Sequence, residues 1–247
     1  MSVQVLALRT PTLLPATHTN CYRIGDVVID PASPYEEEQE RLWSWLEKEP
    51  PRRILLTHHH GDHIGGVEDL RRRSGARVAA HPDARLPFEV DDLLGDGDRI
   101  DTGAGVLICH HTPGHADGHL VFEEESSGDL VVGDLVASVG TIVLVPPEGK
   151  LGLYLDSLER MAKRGASRSG RFFPAHGDPI ADGPGLARMY IQHRHMRTGQ
   201  VRAALADGVS DAWSIAERIY AGIPGVNLHY ASAQVETHLS WLREQER

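Results

Sequence analysis

Four histidines lie within one short segment of the chain, THHHGDH at positions 57–63. Alternate side chains of an extended segment point the same way, so His58 and His60 can bind one cation together. A turn at the following glycine allows Asp62 and His63 to bind a second cation close by. Neutral imidazole and carboxylate are ligands for zinc, iron or manganese. A histidine-rich solvated loop without metal is the alternative interpretation of this segment.

Three further segments end in possible ligands. They read TPGH at 112–115, GD at 133–134 and AHG at 175–177, and each follows a predicted strand. Loops at strand ends commonly carry functional groups on a rigid scaffold. His115, Asp134 and His176 are therefore candidates for the same site.

The elements that must position these residues are mostly strands. Short apolar segments predict strands over 3–8, 22–29 (with a turn at Gly25-Asp26), 53–57, 77–80, 105–110, 119–123, 129–133 and 171–174. Helical periodicity and end signals predict helices over 35–48, 63–73, 151–164, 186–206, 211–220 and 230–245, the last two preceded by the N-cap candidates Asp211 and Asn227. We predict an α+β catalytic domain over residues 1–185, with two packed sheets and helices outside, followed by a C-terminal helical domain over 186–247.

Composition excludes several classes of protein. The 247 residues carry 25 Lys plus Arg against 35 Asp plus Glu, a net charge of −10, which argues against broad attraction to nucleic acid. Two cysteines, Cys21 and Cys109, are too few for a disulfide framework or a thiolate zinc site. The chain shows no long apolar segment and no secretory signal. We therefore expect a cytoplasmic protein without a membrane partner.

In order and spacing, HHHGDH, TPGH, GD and AHG resemble the signature of the metallo-β-lactamase fold superfamily, HxHxDH followed by a distant His, Asp and His. The resemblance implies a four-layer αββα sandwich that holds two divalent metal ions. Zinc is the expected metal, although iron and manganese accept the same ligands. Carried over residue by residue, it implies a first metal bound by His58, His60 and His115, a second bound by Asp62, His63 and His176, and a bridge at Asp134.

Such a site implies hydrolysis by a metal-bound hydroxide, because divalent cations lower the pKa of bound water to roughly 7. Asp134 would hold the metals at a fixed separation, and Asp62 could also orient the nucleophile. His119, four residues after His115, is expected to support a ligand or to donate a proton. The predicted catalytic residues are thus Asp62, Asp134 and His119.

The C-terminal segments YIQHR at 190–194 and THLSWL at 237–242 resemble the beta-lactamase-like protein 2 group. This resemblance implies a winged-helix-like domain, of which we expect the wing to be missing. Relatives of that kind include endoribonucleases acting on single-stranded RNA, and similar sequences include thioesterases that release polyketides from carrier proteins. The predicted substrate is therefore an RNA phosphodiester or a small-molecule or carrier-bound acyl thioester. A non-catalytic metal-binding regulatory or interaction protein is the alternative.

Four arginines bear on the choice between an RNA and a thioester substrate. They lie on one predicted helix: Arg188, Arg194, Arg197 and Arg202. No acidic residue lies among them between positions 186 and 204. They could contact phosphates, bind an acidic carrier protein, or simply solvate the helix.

Overall fold

A computed structural model describes residues 3–246. The strands are β1 (Gln4–Arg9), β2 (His18–Ile24), β3 (Val27–Ile29), β4 (Arg53–Leu55), β5 (Arg77–Ala80), β6 (Asp92–Leu93), β7 (Arg99–Asp101), β8 (Val106–His111), β9 (Leu120–Glu124), β10 (Leu130–Gly133) and β11 (Phe172–Pro174). The helices are α1 (Glu36–Leu46), α2 (Gly61–Ile64), α3 (Val67–Ser74), α4 (Leu151–Ala166), α5 (Gly183–Ala206), α6 (Ala212–Tyr220) and α7 (Leu228–Gln245).

The strands form two sheets. The first has six strands in the order β1-β2-β3-β4-β5-β6, and the second has five in the order β11-β10-β9-β8-β7. Pairing is antiparallel from β1 to β3 and parallel from β3 to β6. In the second sheet only the β10–β11 pair is parallel. The parallel strands are short, and β3, β4 and β5 are mostly buried, as expected for strands covered on both faces.

Three apolar cores separate four layers. Between the sheets lie side chains such as Tyr22, Leu55, Leu107, Phe122 and Phe173. The outer face of the first sheet packs against α1 and α3, and the outer face of the second packs against α4 and the start of α5. The predicted α+β class and four-layer αββα arrangement are confirmed.

The last three helices form a fourth apolar cluster, which includes Val201, Ile215, Val235 and Leu242. Helix α5 belongs to two cores, because Ala187 packs on the second sheet while Val201 packs against α6 and α7. Asp211 and Asn227 cap α6 and α7 by accepting backbone hydrogen bonds. Between residues 183 and 246 the described chain contains no strand. A boundary at residue 185 and a winged-helix-like identity stay predictions.

Four elements differ from expectation. Strand β2 begins at His18, four residues earlier than predicted, and the short strands β6 and β7 were not predicted. The helix predicted over 63–73 is two helices, because the N–H groups of Gly65 and Gly66 bond to the carbonyls of Ala32 and Pro31 instead of continuing a helix. A Cβ at Gly66 would lie 2.5 Å from the Pro31 oxygen, so this contact requires glycine. Among the described residues no helix is long and apolar enough to span a bilayer.

Candidate metal centre

Loops that follow β4, β8, β10 and β11 bring the predicted ligands together. His58 Nε2 lies 2.9 Å from His60 Nδ1, and His115 Nε2 lies 3.3 and 3.0 Å from the same two atoms. Three nitrogens thus face one point, which is the arrangement that a tripod of neutral imidazoles requires.

A second group lies beside the first. Asp62, His63 and His176 place their ligand atoms within 4.8 Å of one another. Asp134 stands between the two groups: its Oδ1 lies 3.6 Å from His63 Nε2 and 3.3 Å from His176 Nε2, and its Oδ2 lies 3.5 Å from His115 Nε2. All seven predicted ligands therefore converge, and Asp134 holds the position expected of a bridge.

Four of the imidazoles, those of His58, His63, His115 and His176, are oriented from behind by a hydrogen bond. His115 Nδ1 donates to the Val143 carbonyl at 2.9 Å, and His176 Nδ1 donates to the His18 carbonyl at 3.1 Å. Thr57 Oγ1 donates to Asp30 and therefore accepts from His58 Nδ1 at 3.1 Å. These bonds place the proton on Nδ1 and leave the Nε2 lone pair facing the cluster.

Burial sets the charge of the first group. Desolvation, helped by neighbouring imidazoles, holds the pKa of His58 well below its usual range and lowers the pKa of His60 to about 3. Burial also lowers the pKa of His115. All three rings are therefore neutral near pH 7, with a lone pair free for a cation.

The second group is governed by Asp134. Burial opposes a charge on His63 and His176, but attraction to the Asp134 carboxylate outweighs it and raises the pKa of both rings. Burial likewise opposes ionisation of Asp134, yet His176 and His63 hold the pKa of its carboxyl well below the usual range. The carboxylate is thus ionised and available to bind cations.

Asp30 is a supporting residue that the motifs did not reveal. Its carboxylate accepts from the Thr57 backbone N–H at 2.8 Å, from Thr57 Oγ1 at 2.6 Å and from His63 Nδ1 at 2.8 Å. Asp30 is buried and has a φ of 51°, a strained value for a residue that is not glycine. An acid directly after the apolar strand β3, followed by proline, was the available signal.

His119 does not line the cleft, and its predicted roles, to support a ligand or to donate a proton, stay predictions. It is fully buried, its Nε2 accepts from the Asp134 backbone N–H at 3.1 Å, and its Nδ1 pairs with Thr112 Oγ1 at 2.7 Å. With both nitrogens occupied, the ring fixes the loop of Asp134. The approach requires Gly133, which has a φ of 49° and where a Cβ would lie 2.8 Å from His119 Nε2.

Two buried polar atoms within the described chain indicate that the cluster can bind cations. His63 Nε2 and Asp134 Oδ1 have no hydrogen-bond partner, although buried polar atoms are nearly always paired. Both face the centre of the cluster. A set of imidazoles and carboxylates without thiolate fits two divalent cations at these positions.

The cluster lies at the floor of a cleft of about 1130 Å³. His60, Asp62, His115, Asp134 and His176 reach into it. Its walls are mostly apolar and come from segments 11–16 and 139–147, from the α6–α7 loop and from α7. Among residues 3–246, no lysine or arginine lines it.

Two of the four arginines of α5 have partners within the protein. Arg194 is 2% exposed and bonds inside the protein, to the Ile142 carbonyl and to Gln234. Arg197 stacks over the Tyr220 ring, 4.5 Å from its centroid. Arg188 and Arg202 are exposed and do not line the cleft.

Known proteins share both sequence and fold with this chain. Lactamase-like protein adaB of Aspergillus niger is 34% identical over 199 residues, which cover 76% of this chain and 58% of that protein. The chain thus spans little more than half the length of that curated relative. A metallo-beta-lactamase family protein of Thermus thermophilus matches with a TM-score of 0.81 at 25% identity, covering 99% of this chain and 94% of that one.

A further solved structure carries metal in its description: a protein in a di-iron-bound form, with a TM-score of 0.58 at 26% identity, covering 73% of this chain and 97% of that one. The family model described as metallo-beta-lactamase superfamily matches residues 14–176. Members of that superfamily typically bind metal ions and are generally hydrolases. With the fold and the clustered motif residues, this match shows that the chain belongs to the metallo-beta-lactamase superfamily.

Proposed function

We propose that this protein is a dinuclear, zinc-dependent hydrolase of acyl thioesters. The observation that carries the proposal is the composition of the cleft above the cluster. Apolar side chains dominate its walls, among them Leu13, Leu14, Val139 and Val145, and no lysine or arginine of the described residues lines it. Such a cleft suits an uncharged acyl chain, whose burial contributes about 25 cal/mol per Å².

The same composition argues against an RNA substrate. Binding to a phosphodiester backbone depends on lysine and arginine contacts to phosphates. Of the arginines that sequence analysis considered for this purpose, Arg194 is buried in the protein and Arg197 is stacked on Tyr220.

The roles of the residues follow from their positions. When bound, two divalent cations supply Lewis acidity, which polarises a carbonyl oxygen and makes hydroxide available at neutral pH. His58, His60 and His115 would hold one cation, and Asp62, His63 and His176 the other. Asp134 would keep them at a fixed separation, while Asp30 and Thr57 hold the proton positions on His63 and His58.

The leaving group is consistent with the position of His119. A thiol has a pKa of about 8.5, so a thiolate departs from a thioester without being protonated first. An alkoxide leaving group, as in a phosphodiester, depends more on a proton donor. Because His119 has both ring nitrogens occupied outside the cleft, a thioester suits this site better.

A paired assay tests the proposal. The full chain, loaded with zinc, is incubated with single-stranded RNA oligonucleotides and with a panel of acyl thioesters on a small thiol and on a carrier protein. We expect thioester hydrolysis that disappears after chelation and returns with zinc. Cleavage of RNA alone would replace the proposal with a ribonuclease. Bound metal without any turnover would favour the non-catalytic regulatory alternative.

A further inference from the structure

His60 differs from the other four histidines that converge on the cluster. Its Nδ1 faces the first group, 2.9 Å from His58 Nε2 and 3.0 Å from His115 Nε2. Within residues 3–246 its Nε2 makes no hydrogen bond, whereas the other four rings are each held from behind. A metal-bound imidazole almost always donates its second N–H to a carboxylate, a carbonyl or a water. His60 therefore requires an acceptor for its Nε2 proton.

Glu148 is the carboxylate beside His60. Both residues line the cleft, and a ring nitrogen of His60, a ring nitrogen of His59 and a carboxylate oxygen of Glu148 lie within 4.8 Å of one another. Arg85 Nη1 lies 3.1 Å from Glu148 Oε1. Oε2 is buried and lies 3.3 Å from His59 Nε2, yet it accepts no hydrogen bond in the described part of the chain. A buried carboxylate oxygen without a donor is costly, so Oε2 is free to accept one.

A tight turn over residues 145–149 presents this carboxylate. The Gly149 N–H donates to the Val145 carbonyl at 2.7 Å, and a Cβ at Gly149 would lie 2.4 Å from the Val145 nitrogen. The Lys150 N–H donates to the Gly114 carbonyl at 2.9 Å, which fastens the end of the turn to the loop that carries the third imidazole of the first group. The carboxylate is thus held against the ligands by backbone contacts.

We infer that Glu148 is a positioning residue whose Oε2 accepts the Nε2 proton of His60, directly or through one water, when a cation occupies the first group. A carboxylate behind a metal-bound imidazole fixes the ring and makes it a stronger ligand. The inference rests on the zinc centre of the proposed function and is independent of the substrate. It assigns to one segment of the cleft wall a direct influence on the first cation.

Two simpler roles for Glu148 are an ion pair with Arg85 and a contact with His59. The Arg85 side chain is 58% exposed, and such pairs contribute little. Neither role involves His60, so variants of the two partners separate them from the inference.

The experiment measures zinc affinity of the full chain by competition against a chromophoric chelator. Glu148→Gln keeps the shape of the side chain but weakens the acceptor, so we expect the affinity for the first zinc ion to fall by about 10–100-fold. Glu236→Gln, a matched substitution at an exposed acid of α7, should bind zinc like the wild type. Unchanged affinity in Glu148→Gln overturns the inference.

Two further variants test the simpler roles. Arg85→Gln removes the ion pair, and His59→Asn removes the ring nitrogen that lies near Oε2, while both keep the Glu148 carboxylate. We expect each to change zinc affinity by less than about fivefold, as for the loss of an exposed pair. If either variant reproduces the loss seen in Glu148→Gln, the carboxylate acts through that partner and the inference is wrong.

A spectroscopic measurement reports on the proton itself. Among the five ligand histidines only His60 faces the cluster with Nδ1, so in the zinc-bound protein it alone carries its proton on Nε2. Long-range proton–nitrogen NMR spectra of histidine-labelled protein distinguish the two tautomers. We expect a His60 N–H protected from exchange in the wild type and unprotected in Glu148→Gln. Should that variant not fold, rapid exchange of this proton in the wild type contradicts the inference by itself.

None of these measurements uses a substrate, so the outcomes for the two proposals are distinct. A protein that binds zinc with a protected His60 N–H but hydrolyses no thioester refutes the proposed activity and supports the role of Glu148. A wild type that binds no zinc overturns both.

Discussion

On the floor of the cleft, imidazoles and carboxylates come from segments that follow strands, and the rings of His58, His63, His115 and His176 are each held from behind by a hydrogen bond. On the facing wall, α7 presents Gln234 and Tyr230 from a helix whose packing depends on the distant Arg194. The positions of the floor residues are determined by neighbours in the chain or by the sheet. The wall residues are set by contacts between helices.

That difference separates the two tasks of the cleft. The floor would hold cations that can polarise either a carbonyl or a phosphoryl oxygen. It therefore suits any ester-type bond. The wall determines which substrate binds, because it supplies the apolar area and the hydrogen-bond donor of Gln234. Changes in the floor should therefore affect metal and turnover together, whereas changes in the wall should affect substrate preference and stability.

The largest effect is expected at the floor. His58→Ala removes one nitrogen of the first group, and the loss of several kcal/mol of transition-state stabilisation should lower kcat/KM by about 1000-fold. Elemental analysis should show reduced zinc. His195→Ala, which removes an exposed imidazole of α5, is the control and should retain both kcat/KM and zinc content. Full activity in His58→Ala would remove the distinction between floor and wall.

The next effect concerns the wall. Arg194→Ala leaves the Ile142 carbonyl and Gln234 Oε1 without a donor and opens a cavity beside Tyr154, so we expect a loss of about 2–4 kcal/mol in the free energy of unfolding. Urea denaturation measures it. Arg188→Ala, exposed on the same helix, should change stability by less than about 0.5 kcal/mol. Equal stability of both variants would mean that the wall does not depend on Arg194.

A smaller effect is expected behind the floor. Asp30→Asn weakens the acceptor that holds the His63 Nδ1 proton, and we expect zinc affinity to fall by about 10–100-fold. Competition against a chromophoric chelator measures the affinity. Asp156→Asn, an exposed acid on α4, serves as the matched substitution and should bind zinc like the wild type. Unchanged affinity in Asp30→Asn would show that the strained loop at residue 30 has another purpose.

The smallest effect should appear with salt. Since no lysine or arginine in the described part of the chain lines the cleft, kcat/KM for an uncharged thioester should change less than about twofold between roughly 50 and 200 mM salt. A polyanion held by several phosphate contacts loses about 1000-fold or more over the same range. A steep decline would point to an anionic substrate and to contacts outside the cleft.

The sequence predicts the floor well because its ligands are encoded by local spacing. His58, His60, Asp62 and His63 follow one strand, and the distant His115, Asp134 and His176 end recognisable turns. Asp30 and the true position of His119 depend on partners far away in the chain, which periodicity does not report. The strands β6 and β7 were missed for a related reason, because they have two and three residues and gain their order from pairing with neighbours.

The wall was the least predictable region. Arg194 and its neighbours looked like a cationic helix face, yet Arg194 lies in the interior while Arg188 stays in solvent. Nothing in the local pattern distinguishes the two, because a buried guanidinium is decided by the acceptors that the rest of the fold supplies. Gln234 carried no signal at all before its contact with Arg194 was seen.

One half of helix α5 packs on the outer face of the second sheet, and its other half packs against α6 and α7. Recombination between relatives at residue 185 would therefore join an α5 from one parent to a sheet from another, with mismatched apolar surfaces on both sides. Exchanging the C-terminal region to alter substrate choice will work only if α4 travels with it. The helices that form the wall of this cleft can therefore be exchanged only together with the helical layer on the second sheet.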